Sequence, residues 1–248
     1  MTGLIKRDFK YFKLQKKKFL LLSTIIYIFI LAFLIFNFSE YRTIDFLFYV
    51  VMKDGGYISN YSQFTMPIIW FILHIVPIVS ISEVTCRDIE DNTSNILLRS
   101  ASKRKYFYSK FLINILMNLI FILLLVGLII VIAYMKDGIN YIDITKIIRI
   151  FTSLALENAI LSIGLVLISQ LISFRFAIFL VSINLSLAML TNIKYILGQY
   201  SLVYKQDFMG GDLSFKFNIK IIFLYALAIL LISYFTLDKY NFYGDNQW

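Results

Sequence analysis

Glu157 stands inside a long apolar run, with Asn158 beside it and Ser153 and Gly164 on the same helical face. A carboxylate in the middle of a hydrocarbon core costs about 2.5–3.5 kcal/mol on insertion scales, so such a group must face other helices or a wet cavity. Glu157, Ser153 and Asn158 therefore have two readings, a polar spot on a transport path or a hydrogen-bonded packing cluster. The single histidine, His74, lies between Pro67 and Pro77 in a second apolar run, and the single cysteine, Cys86, follows that run. One of each leaves little for a zinc site, so His74 reads as packed or hydrogen-bonded, and a lone cysteine excludes an internal disulfide. The apolar runs hold no paired acidic motif, no histidine cluster and no Gly-x-Ser-x-Gly elbow, and none of the 10 glycines precedes a lysine as a Walker A loop requires. No catalytic, metal or cofactor-binding residue is assigned.

The elements that hold these residues follow from composition. Of 248 residues 60% are hydrophobic and 16% charged, and the mean hydropathy is +0.78. That is too apolar for a water-soluble domain, for which about 45–50% apolar and about 25% charged residues are usual. The apolar residues form six runs, 19–38, 64–82, 107–134, 147–172, 176–193 and 219–237, of the length a helix needs to cross about 30 Å of hydrocarbon. Each run can satisfy its backbone internally only as a helix. The predicted fold is a single all-α integral membrane domain with six transmembrane helices. The first run ends without a small-x-small cleavage site and is expected to stay as an anchor.

Lysine and arginine cluster in 1–18 and 83–110, which places both segments, and with six spans both termini, in the cytoplasm. Segments 39–63, 136–146 and 194–218 then fall outside. The net charge of +9 has its largest cluster against a span, which points to anionic membrane lipids and not to nucleic acid.

Three polar segments carry further information. In 1–18, Ile5, Phe9 and Phe12 recur at helical spacing beside Lys6, Lys10, Lys13 and Lys17, predicting an amphipathic helix on the inner membrane surface. Pro67 and Pro77 predict a bend in the second span. The segment 83–106 is too long for a simple helix-to-helix turn of about 2–8 residues. Its acids (Glu83, Asp88, Glu90, Asp91) precede its cations (Arg99, Lys103, Arg104, Lys105). Asp91, Asn92 or Thr93 can cap a short helix bearing Ile96, Leu97 and Leu98, an element suited to docking another protein. In 194–218, three glycines stand among Tyr195, Tyr200, Tyr204, Phe208 and Phe215.

This arrangement resembles the type-2 permeases of ATP-binding-cassette exporters along nearly the whole chain. In 83–110 the resemblance rests on Glu90, Thr93, Leu97 and Leu98, Ser102, Lys103 and Arg104, and Lys110; the chain departs in having Asn92 where glycine is usual and no proline near Ser102. The resemblance implies a cytoplasmic coupling helix, with Glu90, Thr93, Leu97, Leu98, Arg99 and Ser102 engaging an ATPase. It also implies two copies of that ATPase, which binds ATP and Mg, and a second permease chain, identical or homologous. By the same likeness 194–218 forms short hairpin helices dipping into the outer leaflet. The cargo is expected to be a hydrophobic or amphipathic molecule such as a bacteriocin peptide, exported or cleared for self-protection across a bacterial plasma membrane. The competing readings are an intramembrane enzyme and an ion-coupled secondary transporter. The first would need a catalytic constellation, the second several intramembrane ionisable groups where Glu157 is the one available.

Overall fold

The computed structural model describes residues 2–15, 68–97, 103–137 and 144–236. They form six α-helices: α1 (Thr2–Gln15), α2 (Ile68–Leu97), α3 (Lys103–Asp137), α4 (Ile144–Leu171), α5 (Phe174–Leu190) and α6 (Phe215–Thr236). Between α5 and α6 lie three 3-10 turns, Gln199–Ser201, Val203–Lys205 and Asp207–Met209. The described residues are thus helical, with one isolated bridge between Gln206 and Leu213 as the sole β pairing among them. Four helices are long and apolar enough to cross a membrane, over Trp70–Glu90, Arg104–Gly127, Thr145–Leu171 and Phe215–Phe235. The chain is a membrane-embedded α-helical protein. The run expected at 176–193 is α5, whose 17 residues span about 26 Å. The run expected at 19–38 lies outside the described residues.

Two expectations about 83–106 are corrected. The second helix does not end near Ser82, and no separate helix is capped at Asp91, Asn92 or Thr93. Instead α2 continues unbroken through these residues to Leu97. Residues 83–97 contain neither glycine nor proline, Val84, Cys86 and Ile89 keep an apolar stripe buried along them, and Glu83 pairs with Arg87 at 2.7 Å one turn on. A potential cap inside an intact helix finds no orphan N–H to accept from, so these side chains do not start a new one. With 30 residues, α2 is about 45 Å long, some 15 Å more than the hydrocarbon requires. The third helix likewise starts at Lys103, before the expected Phe107.

The centre of the bundle is α4, which packs against α2, α3, α5, α6 and the first 3-10 turn. Leu154, Leu165 and Val166 of α4 are fully buried, while Leu123 and Leu124 of α3 and Phe223 and Phe235 of α6 are exposed. Exposed apolar residues suit a hydrocarbon solvent, and that solvent removes the usual hydrophobic force between helices. What selects these particular contacts must be shape and polar pairing, and polar pairs recur along α4. Ser173 opens α5 by accepting from the backbone N–H of Phe176 at 3.3 Å, an N-cap that separates it from α4.

Candidate functional site

The first polar cluster joins α2, α4 and the first 3-10 turn. Glu157, fully buried, accepts at Oε1 from the backbone N–H groups of Gly198 at 2.7 Å and Tyr200 at 2.8 Å. Its carboxylate caps the start of the turn Gln199–Ser201, where N–H groups point outward without helical partners. Gly198 reaches this position with φ of +107° and with Leu185 and Ala188 against its α-carbon, so a β-carbon would be both strained and crowded. Asn184 adds a bond from Nδ2 to Leu197 O at 2.9 Å. Further along, Lys205 is buried and donates from Nζ to Ala188 O and Thr191 O, each at 2.6 Å, placing a cation on the carbonyl end of α5. The segment 191–214 is therefore folded into the bundle. The hairpin helices expected there do not form among the described residues, because 3-10 turns and side-chain caps satisfy its backbone instead.

Pro77 explains the next contact. A proline lacks the N–H that would bond the carbonyl four residues earlier, which frees Leu73 O. Asn158 Nδ2 donates to that oxygen at 3.1 Å. This fixes the Asn158 amide, so Oδ1 faces His74 Nδ1 at 2.5 Å, and the imidazole must carry its proton there. His74 Nε2 is then an acceptor, 2.9 Å from Ser201 Oγ, which itself accepts from Trp70 Nε1 at 3.0 Å. Residues from three elements are locked in one chain of hydrogen bonds.

The seam continues along α2 and α4. Ser162 Oγ donates to Asn114 Oδ1 of α3 at 2.7 Å and pairs with Ser82 Oγ at 2.9 Å. Asn118 Nδ2 also reaches Asn114 Oδ1 at 3.0 Å. One turn further, Cys86 Sγ lies 3.0 Å from Ser169 Oγ. Ser169 donates to Val166 O at 2.8 Å, which leaves the thiol as donor to its hydroxyl.

At the α1 end the seam finishes in four charges. Asp8 of α1, Asp88 of α2 and Lys110 of α3 are buried, and the side chain of Arg7 is 33% exposed. Lys110 Nζ donates to Asp8 Oδ1 at 2.6 Å and also pairs with Asp88. Arg7 bonds Asp8 at 2.5 Å and Asp88 at 2.7 Å, and Ser109 Oγ donates to Asp8 at 3.1 Å. Two cations balance two anions, with Tyr106 beside both Arg7 and Lys110. Burial lowers the hold of Arg7 on its proton, but Asp8 and Asp88 outweigh it and keep the guanidinium above its ordinary value. Phe12 completes the dock in a pocket of Ile81, Val84, Ile113 and Met117.

Of the residues expected on a transport path, Glu157 and Asn158 come together with His74 and Ser201. Ser153 is buried one turn earlier on α4, its Oγ without a hydrogen-bond partner. Of the residues expected to engage an ATPase, Glu90 is exposed on α2, and Thr93 and Leu97 lie in the last turns of the same helix. Leu98, Arg99 and Ser102 lie outside the described residues. Sequence reasoning missed the Asp8, Asp88 and Lys110 cluster. Its signal was Asp8, the lone acid among seven lysines and arginines in 1–18. Comparison of the chain with family models, with curated proteins and with solved structures found no match.

Proposed function

We propose that this chain is the non-catalytic, membrane-spanning permease subunit of an ATP-driven exporter. On this reading it works with a second permease chain and two copies of a separate ATPase that binds ATP and Mg. The observation that carries the reading is the α2–α3 pair at the α1 end. Both helices exceed the length of a span, and their adjoining ends are clamped by α1 through Arg7, Asp8, Asp88 and Lys110. Long helix ends braced at the membrane surface are a suitable handle for a soluble motor, because a force on them passes directly to the spans they continue. In a bacterial plasma membrane with both termini cytoplasmic, those helix ends face the ATPase. The apolar exposed faces of α3 and α6 suit an amphipathic peptide cargo travelling beside lipid.

The intramembrane enzyme is the competing reading with a specific observation behind it. Ser201, His74 and Asn158 stand in the order of a hydrolase triad, with the hydroxyl on Nε2 and the amide oxygen on Nδ1. Burial weighs against it. Ser201 and His74 are each 0% exposed, and the Trp70 indole N–H occupies the oxygen that would attack.

The test replaces Leu97 and Leu98 together by Ser, outside the candidate span Trp70–Glu90. The variant should insert normally yet fail to retain the proposed ATPase partner or to stimulate ATP hydrolysis. Lys103→Gln serves as control; Arg104 is unsuitable because its guanidinium lies 4.2 Å from the Tyr234 ring centre. Normal ATPase recovery with the double leucine variant would remove the proposed coupling role.

A further inference from the structure

Glu157 is held by one oxygen and left bare at the other. Oε1 has two backbone donors, whereas Oε2 is buried without a hydrogen-bond partner. His74 Nε2 lies 3.9 Å from it, and Ser201 also approaches the carboxyl group. With the imidazole proton on Nδ1, Nε2 has one lone pair, and the Ser201 hydroxyl stands 2.9 Å from it. Ser201 competes for that lone pair only in part, since its hydroxyl also has Gly198 O within 3.3 Å. With Ser201 turned to Gly198 O, two acceptors face each other across a gap with no hydrogen between them, and a buried acceptor without a partner is costly, more so if charged.

We propose that Glu157 and His74 form a buried binding site for one exchangeable proton, held between Oε2 and Nε2. With the proton in place the carboxyl is neutral, Oε1 still accepts from Gly198 and Tyr200, and Oε2 gains a hydrogen to direct at the imidazole. The gap closes to hydrogen-bonding distance by a movement of about 1 Å. The proton is taken from solvent and returned to it, and no other bond is made or broken. The site joins the segment 191–214 to α2 and α4, so its occupancy is coupled to how that segment is seated.

The surrounding charges do not supply an alternative partner among the described residues. On α2, His74 is the titratable group at this level. The Tyr200 hydroxyl of the 3-10 turn points away to Lys194 O at 3.1 Å. On α4 the other charged residues are Lys146 and Arg149, two turns or more before Glu157; on α5 Arg175 lies in the first turn; α6 contributes Lys216 and Lys220, both exposed. The ion-pair neighbour that Glu157 has among the described residues is His74. The inference does not depend on an ATPase partner.

The experiment exploits the fact that His74 is the single histidine. Full-length protein carrying 15N-labelled histidine gives one Nδ1 and one Nε2 resonance, and infrared difference spectra report the carbonyl stretch of a protonated carboxylic acid. Both are followed across about pH 4 to 9, which brackets the ordinary carboxyl and imidazole values. The expected result is a carboxylic acid band that disappears in Glu157→Gln, titrating in step with a shift of Nε2 while Nδ1 stays protonated. His74→Gln, which keeps a hydrogen-bonding side chain, should move the midpoint of that band by about tenfold or more in proton concentration. Because both signals are read on the wild-type protein, a variant that fails to fold does not remove the test. The inference is overturned if no Glu157-dependent band exists in this range, if Nε2 stays constant while the band titrates, or if sodium at fixed pH displaces the band and marks a metal cation site.

Discussion

Replacing Lys110 by Met strands Asp8 and Asp88 in a buried site with Arg7 as their remaining cation. Lys110 and both carboxylates are each 2% exposed or less, so water cannot substitute for the missing ammonium. Removing one partner of a buried ion pair costs about 3–5 kcal/mol. On the other side of the ledger, α1 has 14 residues, a length at which an isolated helix is marginal, and its main apolar anchor, Phe12, contributes about 1.5–3 kcal/mol by burial. The charge cluster is therefore worth as much as the rest of the dock, and α1 should detach. Every 1.4 kcal/mol is a tenfold change in an equilibrium, so hydrogen exchange of α1 amides should accelerate about 100- to 4,000-fold, while α4 amides change little. Adding Asp88→Asn to Lys110→Met restores one cation to one anion and should recover most of the protection. Exchange in Lys110→Met within about fivefold of wild type, equivalent to about 1 kcal/mol, would refute the claim that this cluster holds α1.

Asn158→Leu strips Leu73 O and His74 Nδ1 of their partners and should destabilise the protein by about 2–6 kcal/mol, summing two buried groups at about 1–3 each; in a Pro77→Ala background the penalty should shrink, because the restored N–H can bond Leu73 O, as detergent unfolding midpoints would show. Gly211→Ala drives a β-carbon into the Lys205 backbone, whereas Gly210 has φ of +84° and open space around it. Thermal unfolding should therefore rank Gly211→Ala well below Gly210→Asn, which ought to lose about 1 kcal/mol or less. For topology, cysteines introduced at Asp212 and at Lys103 in a Cys86→Ser background should react with an impermeant reagent from outside and not from outside, respectively; labelling of position 103 from outside would invert the orientation.

Much of the helical architecture was legible because apolar runs of about 20 residues have few alternatives in a bilayer. The extension of α2 was not, because residues 83–97 are polar enough to read as a loop, and Asp91, Asn92 and Thr93 look like caps. The better signal was the lack of any glycine or proline in that stretch, which leaves nothing to end a helix already under way. Glu157 and Asn158 stood out as polar residues in an apolar run, yet their partners did not. His74 was visible without a reason to choose Asn158, and Ser201 sits among other polar loop residues with no local pattern to mark it. Asp8 was hidden by its neighbours, since a basic interfacial stripe explains the lysines without explaining the acid.

The partners lie on one line for a physical reason. Lipid-facing leucines on α3 and α6 cannot tell one helix neighbour from another, because hydrocarbon solvates them as well as a protein surface does. A buried polar side chain can, since it loses its bond if the helix rotates or slides. Helix α2 carries such groups at His74, Ser82, Cys86 and Asp88, and its freed carbonyl at Leu73 adds one more. Each is matched by a group on α4 or, at the end, on α1 and α3. A displacement of α2 along its axis by one residue, about 1.5 Å, with its accompanying turn, would break all of these at once, so small slippage has no intermediate resting position. Motion of α2 is thereby confined to two kinds. Either the helix moves with α4 as one body, or the seam opens at one end first, at Glu157 and His74 or at Asp88 and Lys110. Disulfide tethering of α2 to α4 near Ser82 and Ser162 separates them: it should leave whole-body motion, and any transport built on it, intact, and abolish transport that requires the seam to part.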